Sequence, residues 1–129
     1  MEKENFEILN TVDEALHFKG SYTIQEVRKQ LYKVFSHNGF RRSYEKISNV
    51  FQFNDPANEA YLVEAGRVRT YQLTPEGKEV TFEIINPGES LGLAEVLVNC
   101  PRKRYAETVN KTTLWVMKKD QLLNLILTI

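Results

Sequence analysis

The sequence lacks most of what would make its chemistry easy to name. Its 129 residues include one cysteine, Cys100, which excludes an internal disulfide, a cysteine zinc site and a cysteine-held iron–sulfur cluster. There are two histidines, His17 and His37, and both precede the β-rich part of the chain. No charge is in excess, because 17 Lys and Arg face 17 Asp and Glu. That balance argues against a dedicated nucleic-acid-binding domain, which normally carries a basic surplus. No apolar run approaches a membrane span, and Met1-Glu2-Lys3-Glu4-Asn5 does not open a signal peptide. The expectation is a soluble, cytoplasmic single domain over 1–129 with no membrane partner. With 42% apolar residues it has the material for a core, and a chain this long buries roughly two thirds of its unfolded surface.

Two regimes follow along the chain. Residues of about 4–38 read as helical. The firmest stretch is Ile24 to Phe35, where Ile24, Val27, Leu31, Val34 and Phe35 fall on one face of a helix. Thr23 and Glu26 form a capping-box pattern at its start, and Gly39 stands where a stop is expected. Residues 4–17, with Phe6, Leu9, Val12 and Leu16, suggest a weaker amphipathic helix.

From about 40 to 117 the pattern is β. Val50–Phe53, Ala60–Val63, Val68–Leu73, Val80–Ile85, Tyr105–Asn110 and Thr112–Met117 are rich in β-branched and aromatic residues. Pro75 and Gly77 in Thr74-Pro75-Glu76-Gly77 predict a hairpin between the third and fourth of these. Strands at this spacing imply a sandwich or barrel in place of βαβ units. Trp115 and the many Tyr and Phe residues read as core.

The last segment, Leu122 to Ile129, has six apolar residues in eight and no polar cap. A helix apolar nearly all round must be covered on more than one side. One stripe can cover the barrel. Leu122, Leu123, Leu125, Ile126 and Ile129 are therefore read as a dimer helix of about 119–129 that continues and pairs with a second subunit; an ordinary buried terminal helix is the alternative.

Several segments in order resemble the effector domain of the Crp/Fnr family of bacterial transcription regulators. They are Phe51 to Val68, with its acidic-Pro turn, "YLV" strand and "GRV" turn; Leu73 to Glu79; Asn86-Pro87-Gly88-Glu89; Gly92 to Leu97; Pro101 to Ala106; and Trp115-Val116-Met117 leading into Asp120 to Ile129. The resemblance spans about residues 24–129. It implies a mainly β fold with flanking helices: a double-stranded β-helix, or jelly-roll, cupin-like barrel of the cyclic-nucleotide-binding type. It also implies a small-molecule effector, cyclic AMP or another small anion, bound by Gly92, Leu93, Ala94, Glu95, Arg104, Tyr105 and Ala106. A homodimer through the C-terminal helix is implied, with DNA reached only through a helix-turn-helix domain absent from these residues.

The residues support an anion site in their own right. Gly92 permits close backbone approach, the amides at the start of a short helix over Leu93 to Val98 favour an anion, and Arg104 offers a planar fork. Glu95 can accept from a sugar hydroxyl or form a structural salt bridge. Arg102 and Lys103 read as a solvated loop face. Two positions depart from the family's cyclic-AMP binders: Leu93 stands where they place Glu, and Tyr105 stands where they place Ser or Thr. A phenol there could fill the pocket or read a different ligand. The alternatives are a cyclic-nucleotide module of another signalling protein, and a ligand-free dimerisation scaffold. No metal is expected, because the strand region has no histidine for a metal-cupin site. Cys100, just before Pro101, reads as a small semi-buried residue and not a haem ligand. No catalytic set converges by spacing, so an enzyme is not expected.

Overall fold

A computed structural model describes residues 23–127. The helix expected over 4–17, His17 and Ile129 lie outside the described residues. The chain runs α1 (Ile24–Asn38), β1 (Phe40–Tyr44), β2 (Asn49–Phe51), β3 (Glu59–Ala65), β4 (Val68–Leu73), β5 (Glu79–Ile85), β6 (Ser90–Leu91), α2 (Leu93–Val98), β7 (Tyr105–Thr108), β8 (Thr112–Lys118) and α3 (Lys119–Leu127).

The strands make two antiparallel sheets, ordered β1-β8-β3-β6 and β2-β7-β4-β5. This is the expected jelly-roll, built as two facing sheets and not as a closed barrel. Alternation along the strands explains how it holds together. Tyr61, Val63, Leu114 and Val116 of the first sheet meet Phe51, Val68, Ile85 and Ala106 of the second in one buried cluster. The opposite faces of β3 and β8, with Ala60, Leu62 and Met117, pack against Val34 and Phe35 of α1, Val96 of α2, and Leu122 and Leu125 of α3. Strands β3 and β8 are therefore covered on both sides, and their near-continuous apolar runs follow from that.

Local chemistry sets the ends of the elements. Thr23 Oγ1 accepts from the Glu26 amide at 3.1 Å, which starts α1. Gly39 ends it in extended backbone, its amide donating to the Phe35 carbonyl at 2.8 Å. A Cβ at Gly39 would lie 2.3 Å from the Val116 carbonyl oxygen, so the helix reaches β8 this closely only with glycine. Gly77 takes the left-handed conformation the β4–β5 hairpin requires, with φ of +84°.

Some expectations need correction. Ile24 belongs to the apolar stripe of α1 yet is 71% exposed, because only the C-terminal half of the helix lies on the sheet. Strand β2 ends at Phe51, two residues short of the expected end. Strand β1 was not singled out: Arg41 and Arg42 interrupt its apolar character, as an edge strand allows. The two-residue β6 has no pattern to read. The aromatic residues are not all core, since Tyr32, Phe40, Phe53 and Phe82 are exposed and Trp115 is only partly buried.

Candidate functional site

A cleft of about 420 Å³ opens at one end of the sandwich, where β6 passes into α2. That volume lies within the range of small-molecule sites. Its walls are Gly92, Leu93, Ala94 and Glu95 on one side, Lys103 and Arg104 on another, and Phe51, Thr70, Glu83, Ile85 and Leu91 from the sheets.

The α2 wall is fixed from below by Arg102. Its side chain is 1% exposed. Nη1 donates to the Gly92 carbonyl at 2.7 Å and to Glu95 Oε1 at 3.1 Å, while Nη2 donates to the Glu59 carbonyl. The guanidinium also lies over the Phe51 ring, 4.3 Å from its centroid. Gly92 makes this possible. It sits at φ +77°, and a Cβ there would come 2.7 Å from Arg102 Nη1. The expectation that Arg102 belongs to a solvated face is therefore wrong. Sequence alone presents it between Pro101 and Lys103 in a basic run, and no local pattern separates a buried arginine from its exposed neighbours. Glu95 forms the structural salt bridge that the sequence left open beside a sugar contact.

Arg104 is the cation that faces the cleft. Nη1 lies 3.2 Å from Glu83 Oε1, and the guanidinium sits 4.1 Å above the Phe82 ring. Strand β5 presents Glu83 through a bulge. The β4–β5 register runs Thr70 against Glu83 and then Tyr71 against Thr81, leaving Phe82 as the extra residue. Opposite Glu83, Thr70 is 5% exposed and its Oγ1 has no hydrogen-bond partner. Sequence reasoning missed Thr70 and Glu83. The signal available was the hairpin, but the bulge that turns Glu83 toward the cleft has no mark in the sequence. The α2 helix has six residues, and the cations on the cleft are Arg104 and Lys103, beside the carboxylates of Glu83 and Glu95.

Tyr105 and Ala106 do not line this cleft. Alternation in β7 turns Ala106 into the core, fully buried, and Tyr105 to the outer face of the sheet. There Tyr105 stacks on Tyr71 with ring centroids 5.1 Å apart and lies 6.1 Å from Phe53. The phenol therefore does not fill the cleft. Of the seven residues singled out as ligand-binding, the fold gathers Gly92, Leu93, Ala94, Glu95 and Arg104 around one space.

A second cleft of about 320 Å³ lies by Phe51, Asp55, Glu59, Tyr61, Arg102 and Lys118. Glu59 is its hub, accepting from Arg42 Nη1 and Nη2, Tyr61 OH and Lys118 Nζ, each at 2.9 Å. The bidentate bond from Arg42 is the main reason its carboxyl is held down to about 2; partial burial opposes this, and the Lys118 and Tyr61 bonds add to it. Among the described residues no group of three or more His, Cys, Asp or Glu could hold a metal. No helix among them is long and apolar enough to cross a membrane.

This geometry has relatives. The family model for the cyclic nucleotide-binding domain matches residues 41–128. Among solved structures, the chain is similar to the catabolite activator protein of Thermus thermophilus, with 28% identity and a TM-score of 0.67 over 84% of this chain and 48% of that one. It is similar to FixK2 from Bradyrhizobium japonicum, with 26% identity and a TM-score of 0.61 over 67% of this chain and 42% of that one. The c-di-GMP responsive global regulator CLP of Xanthomonas campestris shares the fold, at 23% identity and a TM-score of 0.69 over 75% of this chain and 47% of that one. The chain thus spans less than half the length of these three regulators. No curated protein sequence matches it. With most of its length matched and a cleft between β6 and β7 that Arg104 lines, the chain belongs to the cyclic nucleotide-binding domain family and resembles the effector domains of Crp/Fnr-type regulators.

Proposed function

We propose that this chain is the sensing domain of a cytoplasmic Crp/Fnr-type transcription regulator, and that the larger cleft takes a cyclic nucleotide by its phosphate. The observation that carries the reading is Arg104, a half-buried guanidinium whose fork lines the same space as Gly92 and the first turn of α2. A guanidinium matches two phosphate oxygens through parallel charge-assisted bonds. Lys103 adds a second cation at the rim, and Tyr105 leaves the space open.

Transmission follows from packing. Val96 of α2 shares a buried cluster with Met117 of β8 and with Leu122 and Leu125 of α3. A ligand that draws α2 inward changes the surface on which α3 rests and so biases the position of that helix. The proposal includes α3 pairing with a second copy through the side that does not face the sheet, where Leu127 is 80% exposed. DNA is reached through a domain outside these residues. The role is binding, not catalysis: both carboxylates on the cleft, Glu83 and Glu95, are held by arginines.

The test is isothermal calorimetry with cyclic GMP and cyclic AMP on the wild type and on Arg104→Ala. At least one nucleotide should bind, and the variant should bind it at least about tenfold more weakly, the loss of a charge-assisted pair. A folded wild type that binds neither nucleotide, or an Arg104→Ala variant that binds as well as the wild type, would overturn the reading.

A further inference from the structure

We propose that the cleft selects guanine over adenine, reading the base edge through Glu83 and Thr70. The inference rests on the reading of the cleft as a cyclic nucleotide site.

The carboxylate acceptors on the cleft are Glu83 and Glu95. Glu95 holds the buried Arg102 through Oε1. Glu83 stands differently. Its partner is Arg104, the same guanidinium that a phosphate would claim. Once the phosphate takes Arg104, the exposed Glu83 carboxylate is free to accept from a ligand that brings hydrogen-bond donors to it.

The bases differ in what they can bring. Guanine presents N2–H, N1–H and O6 side by side: donor, donor, acceptor. Adenine presents an acceptor at N1 beside a donor at N6, so one carboxylate oxygen would face a lone pair. The cleft offers the complement of guanine. Glu83 supplies two acceptors, and its cross-strand neighbour Thr70 supplies a hydroxyl donor that has no partner and is 95% buried. Directly opposed residues in an antiparallel pair sit about 5 Å apart at Cβ, close enough for adjacent atoms on one base edge. Guanine would bring a donor to each oxygen of Glu83 and an acceptor to Thr70, three bonds in all, whereas adenine can accept from Thr70 and bring only N6–H to Glu83, one bond fewer.

The experiment is competition binding on the folded domain with cyclic GMP, cyclic AMP and cyclic IMP, on the wild type, Glu83→Gln and Thr70→Val. In the wild type, cyclic GMP should bind about tenfold or more tightly than cyclic AMP, the discrimination one good bidentate base contact provides. Cyclic IMP, which lacks the 2-amino group, should fall between them. Glu83→Gln should lose or reverse the preference, because an amide pairs with adenine's donor and acceptor. Thr70→Val should weaken cyclic GMP by about threefold or more, through the lost hydrogen bond to O6. Arg104-dependent binding in which cyclic AMP equals or exceeds cyclic GMP would overturn the inference and leave the cyclic nucleotide reading standing. A preference that survives Glu83→Gln would also overturn it. Binding of no nucleotide would overturn both.

Discussion

At Gly92 the absence of one methyl group decides how the cleft is built. The positive φ and the guanidinium of Arg102 packed against the position leave no room for a Cβ. Arg102 in turn joins the Gly92 carbonyl, Glu95 and the Glu59 carbonyl in a dry site. Removing it strands a carboxylate and two carbonyl oxygens. Arg102→Ala should therefore lower stability by about 3 kcal/mol in urea unfolding, the cost of breaking a buried pair. Lys103→Ala, one residue on and exposed, should change it by less than about 0.5 kcal/mol. Equal losses in the two variants would show that Arg102 does not carry the turn. Neither role was legible, since adjacent basic residues in a loop look alike until the chain is folded.

Among the elements, strand alternation decides what Tyr105 can do. It pairs with Tyr71 in the β7–β4 register and stacks with it on the outer face, while Ala106 and Thr70 turn inward. Tyr105→Ser should cost about 1 kcal/mol of stability through the lost aromatic pair. Cyclic nucleotide affinity should stay within about twofold of wild type, because no contact in the cleft changes. A tenfold change in affinity with unchanged stability would mean that the phenol reaches the ligand. The strand itself was legible from Tyr105 to Thr108, but the face of each residue was not. A one-residue shift reverses every side chain, and β5 contains such a shift at Phe82.

Across the whole molecule, Glu59 ties β3 to β1 and β8 through Arg42 and Lys118. Its carboxyl titrates at about 2 against an ordinary value of 4.5, because it accepts two bonds from Arg42. A carboxyl depressed in the folded state stabilises fully above the ordinary value, and the contribution fades as pH falls from 4.5 toward 2. Glu59→Gln should cost about 2 kcal/mol at neutral pH, less than a fully buried pair because Lys118 is exposed. Unfolding followed from pH 7 to 2 should show the gap between variant and wild type closing only below about 4.5. A gap independent of pH would place the stabilisation elsewhere. The order of helix, strands, short helix and last helix came from the sequence alone, because periodicity, caps and turn residues are local and each is written in a few adjacent letters. The motifs from Phe51 to the last helix, read in order, also pointed to the family. The cleft's chemistry was decided only by the fold. Thr70 and Glu83 come from two strands and Arg104 from the edge of a loop, and a bulge and a buried arginine determine which of their atoms meet.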